Sequence, residues 1–533
     1  MATQAPLPGR YHPRLIEAAA AMHDNRLDVA ERILKPYLKD DPFDVRAIRM
    51  LAELAARIGR LRDSETLLRR AVELAPSWTV AKANLALVLG RMGRPAEAME
   101  MLDEVFAEEP EDVGHWNLKA ATLARLGEFD EGIKLYEDVL REVPRHARIW
   151  VSYGHLLKTV GRLADGIDAY RKAIAIAPSL GEAWWSLANL KTVKFNDADV
   201  AAMKAALESP ELSDEDRFHL DFALGKAMHD AGRMDEAFGH YSNANAVRLK
   251  TQPYRPRLLT NIVDRCIESF TADAFAERKG GCESPDPIFV VSLPRSGSTL
   301  LEQILSSHGL VEGTAELQDM PAISRKIGDY PKAVLELDAS SRRELGEEYL
   351  KLASVQRRTE RPYFVDKLPN NWLLIPLIHL ILPNAKIIDA RRHPLSCCFS
   401  NFRQHFSRGQ DFTYDLNALG RYYSDYVRLM AHIDKVLPGV VHRVIYERMV
   451  EDTEAEVRAL LDFCGLDFEP QVLEFYKTER AVRTPSSEQV RRPIYREATE
   501  EWRPYEPHLT PLKAALGEVL DAYPDAPATF SQR

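Results

Sequence analysis

Residues 290–305 read VVSLPRSGSTLLEQIL: an apolar run, a turn of Pro, Arg, Ser and Gly, then a segment with apolar residues at helical spacing. That order predicts strand, turn and helix. Similar short apolar runs recur in PIFVVSL (the first), YFVDKL, AKIIDARR and VVHRVIY, each followed by a helix-length segment. Four βα units of this kind argue for a parallel sheet covered by helices on both sides. Ligands of such sheets bind at the carboxyl ends of the strands, and the turn 294–299 falls at one of them.

Upstream of this α/β region the chain is periodic. Pro42, Pro76, Pro110, Pro144 and Pro178 recur every 34 residues, as do Gly59, Gly93, Gly127 and Gly161, and Trp116, Trp150 and Trp184. Between each Pro and Gly lies a helix-length segment such as EDVGHWNLKAATLARLG, and between Gly and the next Pro another, EFDEGIKLYEDVLREVP. Each repeat is therefore a helix, a glycine turn and a second helix that proline cannot continue. This pattern resembles the tetratricopeptide repeat family over about residues 9–195, with a weaker copy at 222–250. The resemblance implies a stacked helical solenoid whose concave face binds a peptide or partner protein; pure scaffolding is the alternative. The three tryptophans read as packing residues.

The expected architecture is an α-helical solenoid of tetratricopeptide repeats over 9–250, a linker over 251–284, and an α/β P-loop-like domain with a central parallel sheet over 285–525. A chain of 533 residues exceeds the roughly 250–300 at which a single core stops growing, which agrees with several domains. With 45% hydrophobic and 28% charged residues it has a globular composition. A net charge of −10 supplies no general basic field for nucleic acid, so any anion site must be local. Cys266, Cys282, Cys397, Cys398 and Cys464 form an odd set without CxxC spacing and read as reduced thiols. Neither a signal-like start nor a stretch of about 18 apolar residues is found, so the expected location is cytoplasmic, with no membrane span.

In PRSGST, Gly297 lets the backbone approach a ligand, and Ser298 and Thr299 open a helix with outward N–H groups. Arg295 adds a planar fork, and each charge-assisted hydrogen bond contributes on the order of 1.5–3 kcal/mol. A Walker A loop requires Gly-x-x-x-x-Gly-Lys-Ser/Thr, and this turn has no lysine, which disfavours an ordinary P-loop kinase. A second anion site is suggested by DARRHPLSCCFSNFRQHF after the third run, where Ser400 follows Arg392 by eight residues; spacing alone leaves open whether both reach one phosphate.

Together these two segments resemble sulfotransferases that use 3′-phosphoadenosine 5′-phosphosulfate (PAPS), and most nearly the tyrosylprotein sulfotransferases, over about residues 286–505. The resemblance implies that Arg295, Ser296, Gly297, Ser298 and Thr299 grip the 5′-phosphosulfate, that Arg392 and Ser400 grip the 3′-phosphate, and that Tyr446 of VIYERMV touches the nucleotide. It implies a catalytic base at Glu316 of EGTAEL, a catalytic lysine at Lys367 of VDKLPNN and an active-site serine at Ser486 of SSEQVRRP. Glu316 would take the acceptor's proton, Lys367 and Arg295 would meet developing negative charge, and Ser486 would orient; no metal is required. His308 is the rival base, and Cys397 and Cys398 read as packing residues rather than nucleophiles. The acceptor is a hydroxyl of a protein tyrosine, a glycan or a lipid. One departure stands out: Glu501 precedes Trp502 where the family has a basic residue, with Arg503 after it. A non-catalytic nucleotide-binding scaffold is the competing function.

Overall fold

The computed structural model describes residues 12–110, 112–314, 316–406, 409–478, 489–494 and 499–530. The chain divides into two compact units, Met1–Ile176 and Ala177–Arg533.

Among the described residues, the first unit is built of paired helices. Hairpins form from Pro13–His23 with Leu27–Asp40, Val45–Arg57 with Leu61–Leu74, Thr79–Arg91 with Pro95–Glu108, Val113–Leu126 with Phe129–Glu142, and Ala147–Thr159 with Leu163–Ile176. The periodic glycines sit in the turns, with φ between 78° and 91°; Asn25, at the same repeat position in the first hairpin, has φ 57°. That left-handed conformation is open to glycine and tolerated by asparagine, which explains both residue types. The tryptophan and proline periods share one cause. Trp116 and Trp150 donate their indole N–H to the carbonyls of Pro110 and Pro144, at 2.6 and 2.8 Å, fixing the entry to the next hairpin. Apolar residues from successive hairpins, such as Leu68, Leu85, Leu89 and Leu102, interlock into continuous clusters.

The second unit begins with helices Gly181–Asn189, Asp197–Leu207, Asp214–Asp230, Met234–Thr251, Pro256–Ser269 and Ala272–Ala276. The span that reads as a linker, 251–284, thus holds two helices: Thr260 donates to Asp425 at 2.6 Å and Asp264 pairs with Arg428 at 2.6 Å. The helices before it are joined to the α/β domain by buried and partly buried polar contacts. Asn245 donates to the Phe402 carbonyl at 2.8 Å, Gln404 to Asn189 at 3.1 Å, and His229 meets the Tyr505 hydroxyl at 2.8 Å.

Among the described residues the sheet has five parallel strands: β1 (Pro287–Ser292), β2 (Val311–Gly313), β3 (Tyr363–Asp366), β4 (Lys386–Arg391) and β5 (Val441–Ile445), in the order β2-β3-β1-β4-β5. Four of them coincide with the apolar runs; β2 is additional, three residues long and too short for a periodicity to register. All six residues of β1 are buried, as a central parallel strand covered on both faces requires. On one face Ile288, Val290, Ile304, Val365, Ile388 and Val444 pack together; on the other Phe289 meets Tyr349 with ring centroids 5.3 Å apart. From β1 the chain runs out to the edge strand β2, returns to β3, and then crosses over β1 to β4 and β5 on its other side, and this reversal of direction opens a crevice beyond the carboxyl end of β1. Among the described residues no helix is long and apolar enough to cross a membrane.

Candidate active site

The turn after β1 has the strained backbone of a nest. Arg295 has φ 67° and Gly297 φ 97°, left-handed values on either side of Ser296 that turn successive N–H groups into one concavity. Gly297 caps the helix Ser298–Ser306 and has a second constraint: a Cβ there would lie 2.7 Å from the ring of Tyr446. Tyr446, the first residue after β5, is covered in turn by Arg392, whose guanidinium carbon is 4.8 Å from the ring centre. Arg392 Nη1 donates to the Arg295 carbonyl at 3.1 Å, and Arg295 Nε donates to Ser400 Oγ at 3.1 Å. Residues called separately from two distant motifs are thereby woven into one network.

That network lines a cleft with about 710 Å³ of open volume, bounded by Arg295, Gly297, Ser298, Thr299, Arg392, Ser400 and Tyr446. Ser296 is not part of the lining; its hydroxyl turns to Cys397 Sγ at 3.2 Å, and Asn401 donates to the Pro294 carbonyl at 2.8 Å, so the helix Pro394–Phe402 pins the turn from behind. Burial pushes the Cys397 thiol up to about 11 and the Cys398 thiol well above its ordinary range, so both remain protonated packing groups. All five cysteines are unpaired.

Lys367 and Glu316 lie on the other side of β1. β2 and β3 run in register from Val311 opposite Tyr363 to Gly313 opposite Val365, and Thr314 donates to the Val365 carbonyl at 2.7 Å. The segments leaving the two strands are so held together, and Lys367 forms an ion pair with Glu316. Lys367 is 1% exposed and Glu316 44%, so the carboxylate is the accessible member. A second carboxylate, Glu302, stands 3.8 Å from Lys367 and is 4% exposed. In LLEQIL it reads as the polar position of an amphipathic helix, but every residue of Ser298–Ser306 is buried, so it faces protein. The first turn of this helix lines the cleft and the next carries Glu302, which couples the two corners. Asp366, beside Lys367, accepts from the Tyr349 hydroxyl at 2.9 Å, and burial raises its carboxyl to about 8.

His308 is engaged at both ring nitrogens: Nε2 meets the Asp467 carbonyl at 2.9 Å and Nδ1 accepts from the Leu310 N–H at 3.1 Å. It is a buried structural group, without a ring nitrogen to spare for an acceptor. Ser486 lies outside the described residues. Two further cations were not singled out from sequence: Arg403 and Arg492 also line the cleft. Arg403 pairs with Glu501, whereas Arg503 pairs with Glu500 at 2.8 Å and is not part of the cleft lining, so the arginine after Trp502 does not take the place of the missing basic residue there. Nothing in FRQHF marked Arg403, since its partner lies almost a hundred residues away.

Residues 287–470 match the sulfotransferase family, and residues 17–77, 84–147 and 119–181 match the tetratricopeptide repeat. An uncharacterised protein of Aquifex aeolicus is 36% identical over 345 residues, 62% of this chain and 45% of that protein, so the chain spans less than half the length of that relative. A Caenorhabditis briggsae protein provisionally named a protein-tyrosine sulfotransferase is 25% identical over 198 residues, 36% of this chain and 69% of its own. Among solved structures, the sulfotransferase domain of the Synechococcus PCC 7002 olefin synthase is 23% identical, covering 42% of this chain and 88% of that one with a TM-score of 0.33. The repeat protein YrrB is 18% identical, covering 33% and 90%, with a TM-score of 0.27. The chain joins tetratricopeptide repeats to a domain of the sulfotransferase family.

Proposed function

We propose that the domain over 285–525 binds PAPS and transfers its sulfuryl group to an acceptor hydroxyl. The observation that carries this reading is the cleft itself, in which a left-handed nest and the side chains of Arg295, Arg392 and Ser400 converge. These residues fit a nucleotide carrying charge at two ends: the N–H groups of 297–299 with Arg295 for one, Arg392 and Ser400 for the other, and Tyr446 for the nucleoside between them. When bound, the donor supplies an activated sulfuryl group and a phosphate leaving group.

The protein's part is positioning and charge. Glu316, half-exposed beside Lys367, takes the acceptor's proton. Lys367, ion-paired with Glu316 and 3.8 Å from Glu302, faces with Arg295 the negative charge that builds on the transferred and leaving oxygens. Ser486 orients the acceptor in this scheme. Side chains supply both the base and the positive charge, so no metal is assigned.

The acceptor class we favour is a protein tyrosine, on the strength of the named Caenorhabditis briggsae relative, with glycan and lipid hydroxyls as alternatives. The repeats recognise the acceptor or a partner protein, and five unpaired thiols suit a reducing cytoplasm. Thermal unfolding with adenosine 3′,5′-bisphosphate is the direct test: at about 100 times the dissociation constant a ligand adds about 2.7 kcal/mol to the state that binds it. A rise in Tm with the bisphosphate and little with ATP supports the donor reading; equal rises, or none, reject it.

A further inference from the structure

Glu501 breaks the family pattern, and the structure gives it a definite place. Its carboxylate is ion-paired with Arg403. Both side chains line the cleft over the PRSGST turn, and both also line a neighbouring cavity bounded by Trp185, Lys191, Lys226 and Tyr241. Arg403 follows Ser400 by three residues at the end of the helix Pro394–Phe402, about one turn further along its axis, so it extends the row begun by Arg392 and Ser400. The side chains of Arg403 and Glu501 are 19% and 32% exposed, which screens them less than a surface pair. Glu501 is also anchored by its neighbour: Trp502 stacks on His393, the residue after Arg392, with centroids 5.5 Å apart and planes within 10°.

We infer that Glu501 is the chain's own anion in the subsite for the donor's second phosphate. It holds Arg403, and a phosphate monoester entering beside Arg392 and Ser400 must compete with it for that arginine. The carboxylate therefore weakens binding of a nucleotide that carries the second phosphate and leaves one that lacks it unaffected. It sets donor affinity, and release of the bisphosphate product, without touching the reacting atoms. The opposite role, a carboxylate that aims Arg403 at the phosphate, predicts the opposite sign.

This inference rests on the donor reading above, and calorimetric titration of the full chain separates the two. Adenosine 3′,5′-bisphosphate and AMP are titrated into the unaltered protein and into Glu501→Gln. The expected result is bisphosphate binding about tenfold tighter in the variant, the effect of removing about 1.4 kcal/mol of like-charge repulsion, with AMP unchanged. Glu501→Ala should move in the same direction, without an amide to donate a new hydrogen bond. Unchanged or weaker bisphosphate binding overturns the inference, and so does an equal gain for AMP, which would move the effect away from the second phosphate. If the unaltered chain binds neither nucleotide, the donor reading itself fails and takes this inference with it.

Discussion

At the β3 corner of the sheet one buried cation, Lys367, stands against two carboxylates, Glu302 and Glu316. At the β4 corner the balance is reversed: Arg295, Arg392, Arg403 and Arg492 line the cleft together with Glu501. The two corners share one sheet and one helix, Ser298–Ser306, yet suit different tasks. A corner that pairs an accessible carboxylate with a buried lysine can hold and move a proton. A corner with surplus positive charge attracts an anion and has no base to offer. Under the function proposed above, the two corners are individually breakable.

Lys367→Ala breaks the first corner hardest. Removing a preorganised stabiliser of developing charge costs about 10²–10³ in turnover, measured as sulfate transfer from labelled PAPS to whichever acceptor the protein proves to use. Adenosine bisphosphate binding should persist, because the cleft lining excludes Lys367. The same change removes the ammonium 3.8 Å from the buried Glu302 carboxylate, so Tm should fall, and Lys367→Met combined with Glu302→Gln should recover much of it. Loss of nucleotide binding in Lys367→Ala would show that the corners are not separable.

Gly297→Ala tests the second corner. Alanine must adopt φ 97° and bring its Cβ against Tyr446, which also carries Arg392. Strain of about 1–3 kcal/mol is expected, read as a lower Tm together with at least tenfold weaker bisphosphate binding. A variant that keeps full affinity would mean that the nest geometry is dispensable.

How much of this was legible beforehand follows from where each signal resides. Motifs contiguous in sequence, the PRSGST turn and the 34-residue repeat, carry their own geometry and their elements appear as expected. The repeat glycines are even explained by the exception, Asn25. What sequence could not supply is the identity of long-range partners. Glu302 looks like a solvated helix position until the helix is found buried on every side, and Arg403 acquires meaning only from Glu501, far along the chain. β2 escaped because three residues cannot establish a period.

The mildest expected effects contrast the corners through pH. Beside Lys367, burial raises Asp366 from 3.8 to about 8, with Asp319 adding to the shift and Tyr349 and Lys367 opposing it. From about pH 4 to 8 the folded chain thus holds a proton that the unfolded chain releases, and this residue's contribution to stability falls as pH rises. Behind the cationic corner, His219 is lowered from 6.5 to about 4 by burial, and its ring lies 4.9 Å from that of His405, which burial lowers to about 2. Between about pH 6.5 and 4 the unfolded chain binds the protons, so this contribution falls as pH drops. Asp366→Asn should therefore gain Tm relative to the unaltered protein as pH rises from 5 to 8, whereas His219→Phe, entering a cluster with Phe218 and His405, should gain relative Tm as pH falls from 7 to 5. Differences of opposite slope would locate a neutral acid at one corner and neutral imidazoles at the other; parallel or flat differences would remove the electrostatic contrast.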